Sequence, residues 1–221
     1  MRGFLLALMM TTAPMAALAA DVTIQTAQGE VSVPQAPERI AVLDLGAIDT
    51  LKALGVTPAA VPNNLFVEHL KDFAPDAARV GTVIEPDLEA LAAAGPDLIV
   101  VANRTAPARQ AVSQVAPTID MTVDGGKLVE QLKERLNAYA QLYGKEAEAE
   151  TLIAALDEKL AAVAEAGQGK GTALVVLTNG PKMSAYGPGS RFGWLHDVTG
   201  LAPAVEKLDP TAGHGDAISH E

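Results

Sequence analysis

Cysteine is missing from all 221 residues. That removes disulfides, thiolate metal sites and a lipid-bearing cysteine at an N-terminal cleavage point. Histidine is scarce, with four scattered along the chain, too few for a site built on a bare zinc or manganese ion. Basic side chains are outnumbered, 16 Lys and Arg against 27 Asp and Glu, for a net charge of −11. A surface of that sign repels phosphate backbones and anionic membranes, so nucleic acid is not an expected partner. Aromatic residues make up only 4% of the chain. Motifs of the HExxH, GxSxG and Walker types are absent, which removes the best-marked hydrolase and nucleotide-binding chemistries.

What remains is an alanine-rich composition, 49% hydrophobic and 19% charged, that suits helices packed closely on a sheet. The length allows one or two domains with real cores. Residues 1–20 read as an export signal, with Arg2 in a short positive region, an apolar run over 4–10, and small residues around Ala17 and Ala20. The run is too short and interrupted for a spanning helix. Loss of Arg2 would leave 15 basic against 27 acidic residues, or −12. The mature protein is expected in the periplasm, free and monomeric.

Residues 21–144 read as a first α/β lobe. Weak alternation over 22–33 predicts an edge hairpin around Gly29. Apolar runs over 39–45 and 98–102 predict buried strands, with shorter ones over 59–61 and 118–121. Helices are expected over 46–55, after Pro86 to the stop at Gly95, and over 107–115. Asp44, at a strand-to-helix corner, reads as a cap, and His69 as a solvated side chain. Alternating strands and helices with short loops predict a mostly parallel sheet covered on both faces. Leu128 to Tyr143 is amphipathic and ends at Gly144. Residues 145–168 then hold a second long helix, roughly 30 Å at 1.5 Å per residue. That is enough for a rigid strut to a second lobe over 169–221, which reads as unfinished: a strand over 173–178, a loop, one helix and a polar tail.

The richest stretch is Ser184-Ala-Tyr-Gly-Pro-Gly-Ser-Arg-Phe-Gly-Trp194. Its glycines and proline fix an unusual backbone path. Ser190 and Arg191 fall near an expected helix start, where free N–H groups favour an anion. Arginine offers a planar, permanently charged fork of donors. An arginine on a rigid loop aimed at an oxygen-rich anion is one reading, and a strand-to-helix turn with a surface arginine is the other. His196 reads as a capping or packing residue. For Tyr186 and Trp194, packing competes with ligand stacking.

Taken together, Arg39-Ile-Ala-Val-Leu-Asp-Leu-Gly, Glu85-Pro-Asp-Leu-Glu-Ala-Leu, Gly95-Pro-Asp-Leu-Ile, Asn103-Arg-Thr and Tyr186-Gly-Pro-Gly-Ser-Arg-Phe-Gly resemble one family. It is the periplasmic ferric-siderophore-binding proteins of ABC importers, in the branch for catecholate, petrobactin or anguibactin chelates. The resemblance runs from about Pro37 to Glu221. It implies a class III periplasmic binding protein fold: two lobes of mostly parallel sheet with flanking helices, joined by one long rigid helix, with the ligand between them. The second lobe would here be truncated. The implied ligand is an anionic ferric siderophore, with no intrinsic cofactor and no catalysis. Onto this sequence the family's arginines fall on Arg104 and Arg191, with Asn103, Thr105, Ser190 and Tyr186 beside them. A further arginine and a tyrosine of the family pattern have no counterpart before Glu221. An iron-completing histidine falls on His214, for which a solvated loop residue is the alternative. Glu89 and Glu221 fall where the family docks to its membrane permease; Glu89 also suits the positive end of a helix. Rival readings are a same-fold binder of cobalamin or haem, and a metal-dependent enzyme using His214, Asp216 and His220.

Overall fold

The computed structural model describes residues 21–219. The expected export signal, His220 and Glu221 therefore lie outside the described residues. The described residues open on an antiparallel hairpin, β1 (Asp21–Thr26) and β2 (Gly29–Pro34), turning at Gly29 as the alternation predicts. Its inward residues Ile24 and Val33 join the core.

The first lobe is built on five strands: β3 (Ile40–Val42), β4 (Ala60–Val61), β5 (Ala78–Arg79), β6 (Leu98–Val101) and β7 (Thr118–Asp120). They lie in the order β5-β4-β3-β6-β7, and every pairing is parallel. Both faces are covered, which is why the strands read as unbroken apolar runs. Ile40, Val42, Leu98 and Val100 enter one cluster, while Ala41, Leu43, Ile99 and Val101 enter the other. That is the two-residue period of a strand expressed on two buried faces. Helix α1 (Leu45–Ala53) and the later α4 (Leu128–Tyr143) close the first face; α2 (Leu88–Ala94) and α3 (Arg109–Val112) close the second. Asp44 is the N-cap of α1, its Oδ1 accepting from Ala47 N at 2.9 Å. Pro86 sits just outside α2, whose N-cap is Asp87; that carboxylate accepts from Glu89 N and Ala90 N. The 107–115 helix is shorter than its pattern, because residues 103–108 form a tight 3₁₀ turn first.

Helix α4 ends at Gly144 in a left-handed cap, and α5 (Glu146–Gly167) follows at once. At 22 residues α5 spans about 33 Å. It is tied to α4 by the Lys133–Asp157 ion pair. At its far end Gly167 packs on the last turn of α6 (Trp194–Thr199), where an added β-carbon would lie 1.9 Å from Thr199 O.

Beyond α5 the described strands depart from the parallel expectation. The single strand expected over 173–178 is two: β8 (Thr172–Ala173), paired in parallel with β11 (Ala202–Pro203), and β9 (Val175–Asn179). Strand β9 turns through Gly180 and Pro181 into β10 (Lys182–Tyr186), which also pairs with β12 (Asp216–Ile218), all antiparallel. Asn179-Gly180 is the cause: glycine at the first central position, with φ +58°, makes a two-residue hairpin loop.

Candidate functional site

In an open parallel sheet, ligands collect at the carboxyl ends of the strands where the chain order reverses. Here that point lies between β3 and β6, since the chain runs outward to β4 and β5 and then returns to β6 and β7. Asp44 follows β3 and Asn103 follows β6. Asn103 Nδ2 donates to Asp44 Oδ2 at 3.4 Å across the switch, and Asn103 N donates to Thr122 Oγ1 at 2.8 Å. Asn103 has φ +48°, a left-handed conformation that asparagine tolerates better than most residues. This bend turns the chain out of the buried strand, and Arg104 is exposed.

Opposite stands the loop from Gly187 to Gly193. It is folded tightly on itself: Ser190 Oγ donates to Gly187 O at 2.6 Å, and Gly193 N donates to Ser190 O at 2.9 Å. Phe192 meets Tyr186 edge to face at 4.8 Å. The Arg191 guanidinium lies over the Phe192 ring, 5.2 Å from its centroid. Between the two loops is an open cleft of about 740 Å³. Asp44, Leu45, Val83, Asn103 and Arg104 line one side, and Arg191, Phe192 and Trp194 the other. Val123, Gly125 and Leu128 complete the wall.

The cleft thus brings Asn103, Arg104 and Arg191 together. It leaves out three of their neighbours. Thr105 is fully buried, its Oγ1 accepting from Ala102 N and bonded to Ala102 O at 3.0 Å. Ser190 is 1% exposed, and its hydroxyl and N–H both serve Gly187 O. Tyr186 is 1% exposed on β10, packed beneath Gly215. These three shape the loops from behind and do not face the cleft. Ser190 also does not start a helix, since α6 begins four residues later.

His214 is exposed in the 213–215 turn and is not part of the cleft wall. Asp216 Oδ2 accepts from Asp209 N at 2.7 Å. Among the described residues no three His, Cys, Asp or Glu side chains gather closely enough to hold a metal ion. His214 and Asp216 therefore form no metal cluster there. His196 is buried with Nδ1 3.1 Å from Leu201 O, the packing role expected of it. His69 is exposed but not merely solvated: its Nε2 pairs with Asp49 at 2.7 Å. Glu89 is exposed in the first turn of α2.

One residue of the site's foundation escaped the sequence reading. Arg135, inside the amphipathic pattern of α4, is buried. It donates to Met121 O at 3.2 Å, Thr122 O at 2.8 Å and Gln25 O at 3.4 Å, stapling the loop after β7 beneath Asn103. Tyr139, one turn on, is fully buried, and its hydroxyl has no hydrogen-bond partner among the described residues. Burial first, and the nearby Asp44 charge second, push its pKa well above the ordinary tyrosine value.

A parallel α/β lobe, a long helix and a second lobe, with a charged cleft at the sheet's switch point, define a two-lobed solute-binding architecture. The chain belongs to the periplasmic binding protein family, which it matches over residues 40–221. It is 34% identical over 193 residues to the petrobactin-binding protein YclQ of Bacillus subtilis, covering 86% of this chain and 61% of that protein. The crystal structure of that protein superposes with a TM-score of 0.81, over 90% of this chain and 72% of that one. Ferric-anguibactin-binding protein FatB of Vibrio anguillarum is 29% identical over 212 residues, 92% of this chain and 65% of that one. The periplasmic catecholate-siderophore binding protein VctP of Vibrio cholerae is similar in structure, with a TM-score of 0.83 at 26% identity, over 90% of this chain and 73% of that one. The chain spans less than two thirds of the length of the two curated relatives.

Proposed function

We propose that this protein captures an anionic ferric siderophore of the catecholate type and delivers it to the permease of an ABC importer for iron uptake. The observation that carries the reading is the cleft itself, which sets Arg104 of one loop and Arg191 of another on opposite walls, with Phe192 and Trp194 beside Arg191. A ferric catecholate carries negative charge over planar aromatic oxygens. Guanidinium groups meet it by charge, by forked hydrogen bonds and by stacking, and the aromatic wall offers the rings a second face. Relatives named for petrobactin, anguibactin and catecholate siderophores support the same cargo. The protein acts by binding and carries out no catalysis; it needs no intrinsic cofactor, and iron arrives inside its ligand. It is exported by the segment over 1–20 and works as a monomer in the periplasm. Glu89 is a docking residue for the permease, paired with Glu221.

The test is a fluorescence titration of the full-length protein, read at Trp194, the sole tryptophan and a residue of the cleft wall. Ferric petrobactin, ferric enterobactin, their iron-free forms, cobalamin and haemin are compared side by side. Submicromolar quenching by a ferric catecholate, and not by cobalamin or haemin, is the expected result. Tight binding of cobalamin or haemin instead would overturn the cargo.

A further inference from the structure

The cleft wall contains a contact that no motif announces. Gly125 and Gly126 lie in the 3₁₀ turn (Gly125–Lys127) between β7 and α4, and their backbone touches the glycine loop that carries Arg191. A β-carbon at Gly125 would stand 2.9 Å from Arg191 Cα and 2.9 Å from Arg191 O. One at Gly126 would stand 2.7 Å from Gly189 O. The nearest obstacles are main chain, with Arg191 Cγ next at 3.2 Å from a β-carbon at Gly125, so movement of a side chain alone does not clear the way. Neither glycine has a positive φ, so neither is needed for its own backbone conformation. What the pair supplies is room for two main chains to meet.

Both sides of the contact are braced. On the first-lobe side, Asp124 Oδ1 accepts from Gly126 N at 2.9 Å, and Asp124 N donates to Gln131 Oε1 at 2.6 Å, locking the turn to α4. On the other side, a β-carbon at Gly193 would stand 2.5 Å from Gly187 O and 2.6 Å from Gly189 N, so the loop has no slack to yield into. A displacement imposed at residue 125 therefore moves Arg191 as part of a rigid loop.

We propose that Gly125 and Gly126 are positioning residues: a main-chain clasp between the lobes that fixes how far Arg191 stands from Arg104, and so which chelate both arginines can grip together. This rests on the cleft being the ligand site. A side chain at 125 needs the loop to retreat from 2.9 Å to ordinary contact near 3.4 Å or more. Binding constellations tolerate misplacements of only about 0.5 Å, so roughly a tenfold loss of affinity is expected from Gly125→Ala.

The test is a double-mutant cycle on the full-length protein. The probe is whichever of ferric petrobactin and ferric enterobactin binds the wild-type protein more tightly. Gly125→Ala, Gly126→Ala, Arg191→Ala and Gly125→Ala/Arg191→Ala are titrated at Trp194, with thermal unfolding as a control for folding. Gly125→Ala is expected to weaken binding roughly tenfold alone but less than twofold in the Arg191→Ala background, since it acts through that side chain. A merely structural role would cost the same in both backgrounds, and that outcome overturns the proposal. So does binding by Gly125→Ala within twofold of wild type. Gly126→Ala pushes the same loop from the adjacent residue and decides the matter where Gly125→Ala does not fold; failure of both to fold would make the clasp a requirement of the fold and refute a positioning role. If neither chelate binds the wild-type protein, the functional reading falls first and takes this one with it; binding by wild type with additive variants removes the clasp alone.

Discussion

Replacing Arg104 or Arg191 with alanine separates charge at the cleft from stability of the fold. Both side chains are exposed, and Arg191 stacks on Phe192. An exposed cation–π contact contributes about 0.5–1 kcal/mol, so unfolding free energy should fall by no more than that in Arg191→Ala, and by less in Arg104→Ala. Binding should respond far more. A hydrogen bond to a charged group contributes about 1.5–3 kcal/mol, which is roughly a 10- to 150-fold change in Kd for each arginine. Because the two come from separate loops on opposite walls, the double variant should lose close to the sum of the two. Arginine-to-lysine changes keep the charge but lose the planar fork, and should recover only part of the affinity. Titration with the ferric chelate at two ionic strengths reads these effects, with the wild-type affinity falling as salt screens the encounter. Affinities of both alanine variants within twofold of wild type, with unfolding unchanged, would refute the arginine cleft as the binding site.

Three further outcomes follow from the same geometry. Tyr139→Phe removes a buried hydroxyl that has no partner among the described residues, so it should leave stability unchanged or raise it by up to about 1 kcal/mol in a denaturant titration. Because folding raises the Tyr139 pKa above the ordinary 10.0, its contribution is complete below pH 10 and is lost as pH climbs beyond; an alkaline unfolding series should show the wild type losing stability above pH 10 and Tyr139→Phe losing less. Gly81→Ala places a β-carbon 2.4 Å from Asp87 N at φ +87°, and should cost about 1–3 kcal/mol by thermal unfolding.

The first lobe was readable because its strands are covered on both faces, so residues 39–45 and 98–102 appear as uninterrupted apolar runs. Strand β5 was not, since Ala78–Arg79 offers two residues and no run. The antiparallel turn at β9–β10 was written in Asn179-Gly180, but the apolar run before it has the look of another buried parallel strand, while Val176 and Leu177 are in fact 40% and 47% exposed. In the site, Arg104 and Arg191 were legible because each sits in a polar or glycine-rich break after a strand. Their neighbours Thr105, Ser190 and Tyr186 share the same motifs yet are buried, because a loop motif records the residues that brace a wall together with those that face the cleft. Arg135 and Gly125 were invisible for the opposite reason. The Gln25 carbonyl on Arg135 is 110 residues away, and the Arg191 backbone against Gly125 is 66 residues away, so no local pattern carries them.

Helix α5 is held at its middle by Lys133 on Asp157 and at its far end by Gly167 seated on Thr199. A connector tied at those two points should keep the two walls of the cleft at a set separation, so ligand entry is expected not to wait for a large rearrangement. The association rate is then set by diffusion and by the local charge of the two arginines working against an acidic surface. Differences among chelates should show up mainly in how long each one stays.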